Sequence, residues 1–154
     1  MRVATLLKFA GDTLASALNE LSRKAPDYAP DNLLFVDLIR QCADADIDQP
    51  RKLLWAMGSK HTTAIRTYCQ TGRLHSETLC GRTIDAINFL VLIRLWAEHE
   101  NQILSSVYTH FADSNCECLE PFAGAPGEVC SRCDVLAWFS QYHPSRMGST
   151  SAPD

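Results

Sequence analysis

Apolar residues recur every three or four positions through most of the first 111 residues, which is the spacing of one face of an α-helix. The pattern is interrupted by a proline-containing connector at residues 25–30, by an acidic stretch at 43–50 and by Gly72. Alternating strand patterns are nearly absent. The sequence therefore predicts an all-α protein built on a bundle of four or five helices.

The first predicted helix covers about residues 4–24 and the second is shorter. We expect the apolar face of the first to point inward, with Leu7, Ala10, Leu14, Ala17, Leu18 and Leu21. Prolines in the connector are expected to end this helix. The second helix has its own inward set, namely Leu34, Leu38, Ile39 and Cys42.

A third helix is predicted from Pro50 to Gln70, because proline suits a first helical turn and an apolar stripe follows it. Gly58 lies inside this helix, where glycine costs about 1 kcal/mol relative to alanine, and so indicates a close crossing or a kink. After Gly72, a long fourth helix is predicted to begin at Ser76 and Glu77. It bends near Asn101 or continues to about residue 111.

The acidic stretch between the second and third helices carries Asp44, Asp46 and Asp48 at alternate positions. Carboxylates so spaced in a loop can converge on Ca²⁺. The glycine of a calcium loop is missing, however, and Trp55 stands where a bidentate glutamate would be needed. A solvated acidic turn is the better interpretation.

Composition narrows the class of protein. The chain has 154 residues, 46% hydrophobic and 21% charged, which suits one globular domain with a small appendage. A formal charge of -4 with scattered basic residues disfavours nucleic acid as a partner. No apolar run is long enough for a membrane span. Lys8 and Asp12 also break the continuous apolar region that a secretory signal would need near the start of the chain. We therefore expect a cytoplasmic (intracellular) protein without a membrane partner; the number of subunits, including a homo-oligomer, stays open.

Seven cysteines, an odd number, argue against a disulfide framework. Three of them, Cys42, Cys69 and Cys80, fall within helical patterns and are expected to be small buried hydrophobes. The other four lie together as CxC and CxxC around a loop rich in proline and glycine: Cys116, Cys118, Cys130 and Cys133.

Four thiolates so placed suit a tetrahedral structural Zn²⁺ site. Side chains of a CxC pair point apart in extended chain, so His110 or His143 could replace one ligand, and free thiols or a redox pair are the alternatives. The residues after Cys133 predict a short helix that docks on the bundle. The expected domains are a helical bundle at 1–111, a zinc module at 112–143 and a disordered tail at 144–154.

A polar stripe marks the first half of the fourth predicted helix, made up of Glu77, Gly81, Ile84, Asp85 and Asn88. In one interpretation Glu77 and Asp85 hold Mg²⁺ over the phosphates of a nucleotide, which Lys60, His61 and Arg66 also contact. In the other, Asp85 and Asn88 belong to a hydrogen-bond network between helices. The residues alone favour the second.

The segment KHTTAIRTYCQTGRLHSETLCGRTIDAINFLVL resembles the nucleotide-modification-associated helical domain of phages, which is similar to the MazG-like all-α nucleotide pyrophosphohydrolases. The matching positions are Lys60, Glu77, Asp85, Asn88 and Phe89. The acidic helix of that family carries Glu, Asp, Asp and then Asn followed by an aromatic residue, and Gly81 stands here in place of the first Asp. The ExxE pair that precedes this helix in MazG-like enzymes has no counterpart in this chain. The resemblance implies nucleotide binding, with Asn88 among the binding residues and Glu77 and Asp85 as catalytic residues of a phosphohydrolase or phosphotransferase.

Two functions follow as hypotheses. The first is a nucleotide-binding protein, with or without Mg-dependent phosphate chemistry; since the chain has no GxxxxGK[ST] loop, it would bind the nucleotide without one. The second is a non-enzymatic adaptor or regulator that binds a protein through aromatic residues near the zinc module, Phe122 and Trp138. Packing of these aromatics against the bundle is the commoner role for such residues.

Overall fold

The structure, a computed structural model, describes residues 3–28, 33–74, 77–114 and 131–146. Its helices are α1 (Val3–Tyr28), α2 (Val36–Asp44), α3 (Pro50–Thr71), α4 (Leu79–Asp113) and α5 (Ser131–Tyr142), followed by a 3₁₀ turn (Pro144–Arg146). No strand occurs in these residues. The all-α prediction is confirmed.

The chain forms two compact units. The first comprises Met1–Tyr28 and Arg51–His99, and the second comprises Ala29–Pro50 and Glu100–Asp154. Helix α4 passes from one to the other at His99, whose backbone angles (φ -129°, ψ 17°) are not helical. Of the two outcomes predicted for this helix, a bend or a continuation, the structure has a bend. It also groups α2, the end of α4 and α5 in one unit.

The first unit contains α1, α3 and the first part of α4, and its buried apolar side chains include Leu54, Ala86 and Trp96. Gly58 of α3 is a close crossing, because a Cβ there would lie 3.0 Å from Cβ of Phe89 in α4. The glycine therefore lets two helices approach each other, as one of the sequence interpretations proposed.

The predicted inward face of α1 is wrong for most of its residues. Ala17 is buried, whereas Leu7, Leu14 and Leu18 are 67%, 59% and 63% exposed. A helical repeat identifies an apolar face but not the surface that covers it. The helix is also longer than predicted and continues past the first proline of the connector to Tyr28.

The second unit packs α2, the end of α4 and α5 around a core that includes Ile39, Val107 and Phe139, each with 0% exposure. Trp138 donates a hydrogen bond from Nε1 to the carbonyl oxygen of Ile47 at 2.7 Å. The predicted docking of a short helix after Cys133 is confirmed.

The ends of α3 and α4 position the candidate site. Gly72 has a left-handed backbone (φ 70°) and its N–H donates to the carbonyl of Tyr68, as its prediction as a helix stop requires. Helix α4 starts at Leu79, because the hydroxyl of Thr78 accepts a hydrogen bond from the N–H of Gly81 at 3.1 Å and caps the first turn. Glu77 therefore precedes the helix, and its predicted place in the helical stripe is corrected.

Only one of the three isolated cysteines is buried as expected. Cys42 has 0% exposure, and burial raises the pKa of its thiol to about 12. Cys69 and Cys80 are exposed on α3 and α4. The expectation that these two cysteines are buried is therefore wrong, because both lie on the solvent-facing sides of their helices.

No helix in the described ranges combines the length and apolar character needed to cross a membrane.

Candidate functional site

Charged side chains from three helices meet at Asp85 in the first unit. Lys24 of α1 places Nζ 3.4 Å from Oδ1 of Asp85, and His61 of α3 places Nδ1 3.5 Å from Oδ2. The Asp85 side chain is 23% exposed, whereas that of His61 is 6% exposed. The carboxylate is thus paired on its inner side and accessible on its outer side.

Arg82 extends this group toward the start of α4. Its Nε lies 3.0 Å from Oε2 of Glu77, and one of its terminal nitrogens lies 3.4 Å from Nδ1 of His61. We refer to Lys24, His61, Glu77, Arg82 and Asp85 as the Asp85 cluster. It contains two carboxylates, two permanent cations and one imidazole.

His61 is held neutral at neutral pH. Burial is the largest influence and lowers the pKa of the imidazole, outweighing the charge of Asp85, which raises it. The ring also stacks on Phe89, with centroids 5.5 Å apart. In the neutral form, Nδ1 either donates to Asp85 or accepts from Arg82, because one nitrogen cannot do both.

A second acid holds Lys24 at the edge of the cluster. Lys24 Nζ lies 3.0 Å from a carboxylate oxygen of Glu20, which also pairs with Arg23 at 2.7 Å. Hydrogen bonds from these two cations lower the pKa of Glu20 to about 2. The Lys24 ammonium is therefore shared between Glu20 and Asp85.

The structure brings together some of the predicted nucleotide-site residues. Glu77, Asp85 and His61 belong to the cluster, and the charge of the exposed Lys60 is near enough to lower the pKa of His61. Asn88 follows Asp85 by three residues, about one helical turn, and is buried at 8% exposure. Arg66 is exposed on α3, about 140° around the helix from His61, and no ion pair described for the cluster includes it.

Two members of the cluster escaped prediction from sequence. Lys24 lies 61 residues from Asp85, and nothing in a local pattern connects them. Arg82 could have been found, because it precedes Asp85 by three residues and so shares its side of α4.

The predicted zinc ligands fall mostly outside the described residues. Cys116, Cys118 and Cys130 lie there, whereas Cys133 is half-buried in the first turn of α5. The two histidines considered as replacements are packed against aromatic rings: His110 against Phe111 and His143 against Trp138.

The described residues contain no group of three or more His, Cys, Asp or Glu side chains that could hold a metal ion. For Mg²⁺ the donor chemistry of the Asp85 cluster is nevertheless suitable, because this ion is usually held by one or two carboxylates together with substrate phosphates.

One residue of the acidic turn has a structural contact. The phenol of Tyr142 donates a hydrogen bond to Oδ1 of Asp46 at 2.7 Å, and this bond raises the pKa of the phenol. Asp46 thus links the turn to α5.

The adaptor hypothesis loses one of its two anchors. Trp138 is 3% exposed, and its ring packs edge-on against Phe139. It holds α5 in place, so it cannot serve as an exposed contact. Phe122 lies outside the described residues.

Comparison of the chain with protein-family models, with curated proteins and with solved structures finds no match.

Proposed function

We propose that this protein binds nucleotides through their phosphates at the Asp85 cluster. The observation that carries the proposal is the convergence of Lys24, His61 and Asp85, one from each helix of the first unit, around a partly exposed carboxylate. The Asp85 side chain is 23% exposed, so a ligand in solution could reach it. The resemblance at residues 60–92 to nucleotide-handling helical domains supports the same conclusion.

The charges of the cluster suit an exchange of partners. Without ligand, the Lys24 ammonium is paired with Asp85 and the Arg82 guanidinium with Glu77. When a nucleotide binds, Lys24 and Arg82 would turn to its phosphates, and the freed carboxylates would hold Mg²⁺, which supplies positive charge at the phosphate oxygens. Because each broken ion pair is replaced by another, no buried charge is left without a partner.

His61 gives the site a group that can accept a proton. Its lowered pKa keeps the imidazole neutral near pH 7, and Asp85 would stabilise the imidazolium once it forms. Hydrolysis or transfer of a nucleotide phosphate is therefore the reaction class that we propose for the site, with Glu77 and Asp85 as the acidic residues.

Binding is tested by thermal unfolding with nucleoside mono- and triphosphates, with and without Mg²⁺. A ligand at 100 times its Kd stabilises the native state by about 2.7 kcal/mol, which raises Tm by several degrees. We expect this shift to require Mg²⁺ and to disappear in Asp85→Asn. The matched control is Asp12→Asn, which removes a carboxylate from an exposed ion pair with Lys8 in the same unit.

The absence of a shift with every nucleotide, or an equal shift in Asp85→Asn and the wild type, would overturn the binding proposal. Catalysis is tested separately by release of phosphate or pyrophosphate from the nucleotides that bind. Release that persists unchanged in Asp85→Asn would come from a contaminating enzyme and would count against the reaction class.

A further inference from the structure

We propose that α1 is a self-association surface, and that it pairs with α1 of a second copy of this chain in antiparallel orientation. The surface, which we call the α1 stripe, consists of Val3, Leu7, Gly11, Leu14 and Leu18, which follow one another at three- or four-residue spacing on one side of the helix. Its four apolar side chains are 59–72% exposed. This inference does not depend on the proposed nucleotide site.

The stripe is symmetric about its own centre. Val3 and Leu18 are equally distant from the midpoint between Ala10 and Gly11, and so are Leu7 and Leu14. A two-fold axis at this midpoint therefore places Leu7 of one copy opposite Leu14 of the other, and Val3 opposite Leu18. A surface that pairs with itself in this way is what a two-fold dimer requires.

Gly11 at the centre has no explanation within one copy. A Cβ at this position would meet nothing within 4 Å, although glycine costs about 1 kcal/mol in a helix relative to alanine. A second helix that crosses here would occupy the space left by the absent side chain, because glycine lets two backbones approach closely. The same device operates inside the first unit, where Gly58 meets Phe89.

The helix dipoles favour the antiparallel direction. The dipoles of two paired helices oppose each other only in that arrangement.

The area is sufficient for a specific contact. From their exposed fractions, the four apolar side chains and the neighbouring Leu6 present on the order of 500 Å² per copy, at the upper end for a monomer surface. Two copies would bury about 1,000 Å², which is the size of the smaller specific interfaces. Water exposure of this stripe in a lone chain would be a liability that pairing removes.

The test measures the mass of the full chain in reducing buffer by light scattering after size exclusion. We expect a dimer for the wild type and monomers for Leu7→Lys and for Leu14→Glu. The matched control is Phe9→Lys, because Phe9 is equally exposed (68%) on the same helix but lies roughly 150° around it from the stripe. This variant should remain a dimer, and circular dichroism should show equal helix content in all of them.

Rescue distinguishes the register. In the antiparallel pair the introduced lysine and glutamate lie opposite each other, so mixing the two single variants, or combining them in one chain, should restore the dimer. A parallel pair would place like charges together in the double variant and each introduced charge opposite a leucine in the mixture, so neither would be restored. A monomeric wild type, dimers that survive both single substitutions, or failure of the rescue would each overturn the proposal.

Discussion

At the scale of single residues, His61 shows how burial sets the chemistry of a side chain. Its Nδ1 lies between the carboxylate of Asp85 and the guanidinium of Arg82, and its ring is covered by Phe89. The carboxylate alone would raise the pKa of the imidazole, but loss of water dominates and lowers it. The residue is therefore a proton acceptor at neutral pH and not a fixed cation.

This lowered pKa makes stability depend on pH. Because the unfolded chain binds the proton more readily than native His61, the contribution is present above about pH 6.5 and is lost as pH falls through the native pKa. We expect the free energy of unfolding, measured by urea denaturation between pH 7.5 and 5, to fall less steeply in His61→Gln than in the wild type. The difference in slope is at most about 1.4 kcal/mol per pH unit.

The control for this measurement is His99→Gln, because His99 is exposed on α4 and lies outside the Asp85 cluster. Its slope should equal that of the wild type. Equal slopes in the wild type and His61→Gln would contradict the assignment of a neutral, buried His61.

At the scale of helices, the crossing of α3 and α4 is set by one missing side chain. Gly58 is buried, and the space that a Cβ would occupy is taken by the Cβ and ring of Phe89, at 3.0 to 3.3 Å. This contact holds the two helices that supply His61 and Asp85 at close range. The weak helix propensity of glycine is thus offset by packing.

Gly58→Ala should destabilise the protein even though alanine is the better helix former. Overpacking of a filled contact typically costs about 1–3 kcal/mol, which exceeds the gain in propensity of about 1 kcal/mol. Chemical denaturation should show a lower free energy of unfolding. Gly81→Ala is the matched comparison, since its Cβ would lie at an ordinary 3.4 Å from Thr78 Oγ1, and its stability should stay equal or rise.

At the scale of the whole molecule, the sequence predicts a structural metal ion in addition to the helices. The all-α architecture is established, whereas a structural Zn²⁺ held by Cys116, Cys118, Cys130 and Cys133 remains a prediction from their spacing. Cys133 stands in the first turn of α5, where the helix dipole favours a thiolate. Such a site would connect the start of α5 to the segment that follows α4.

Native mass spectrometry of the purified chain should therefore show a single bound zinc ion per copy, because four thiolates complete a tetrahedral shell. We expect Cys133→Ser to lose the ion and to unfold at a lower temperature. Cys69→Ser, which changes an exposed cysteine on α3, should keep both the metal and the Tm of the wild type. Protein without zinc, or zinc retained in Cys133→Ser, would exclude this ligand set.

The sequence by itself determined the kind of elements, because helical periodicity and its interruptions are local properties. It placed α3 and α5 closely, identified Gly72 as a helix end and singled out Asp85 as a carboxylate in an apolar helix. It also indicated that Gly58 was either a crossing or a kink. Each of these rests on residues within a few turns of one another.

Only the tertiary structure decided which apolar faces are covered and which side chains meet. It exposed Leu7, Leu14 and Leu18 on α1, and it brought Lys24 to Asp85 across 61 residues. It also grouped α2 and α5, which are far apart in the chain, in one compact unit. Periodicity describes one helix at a time, whereas burial and ion pairing depend on which helices become neighbours, and that is a property of the folded chain.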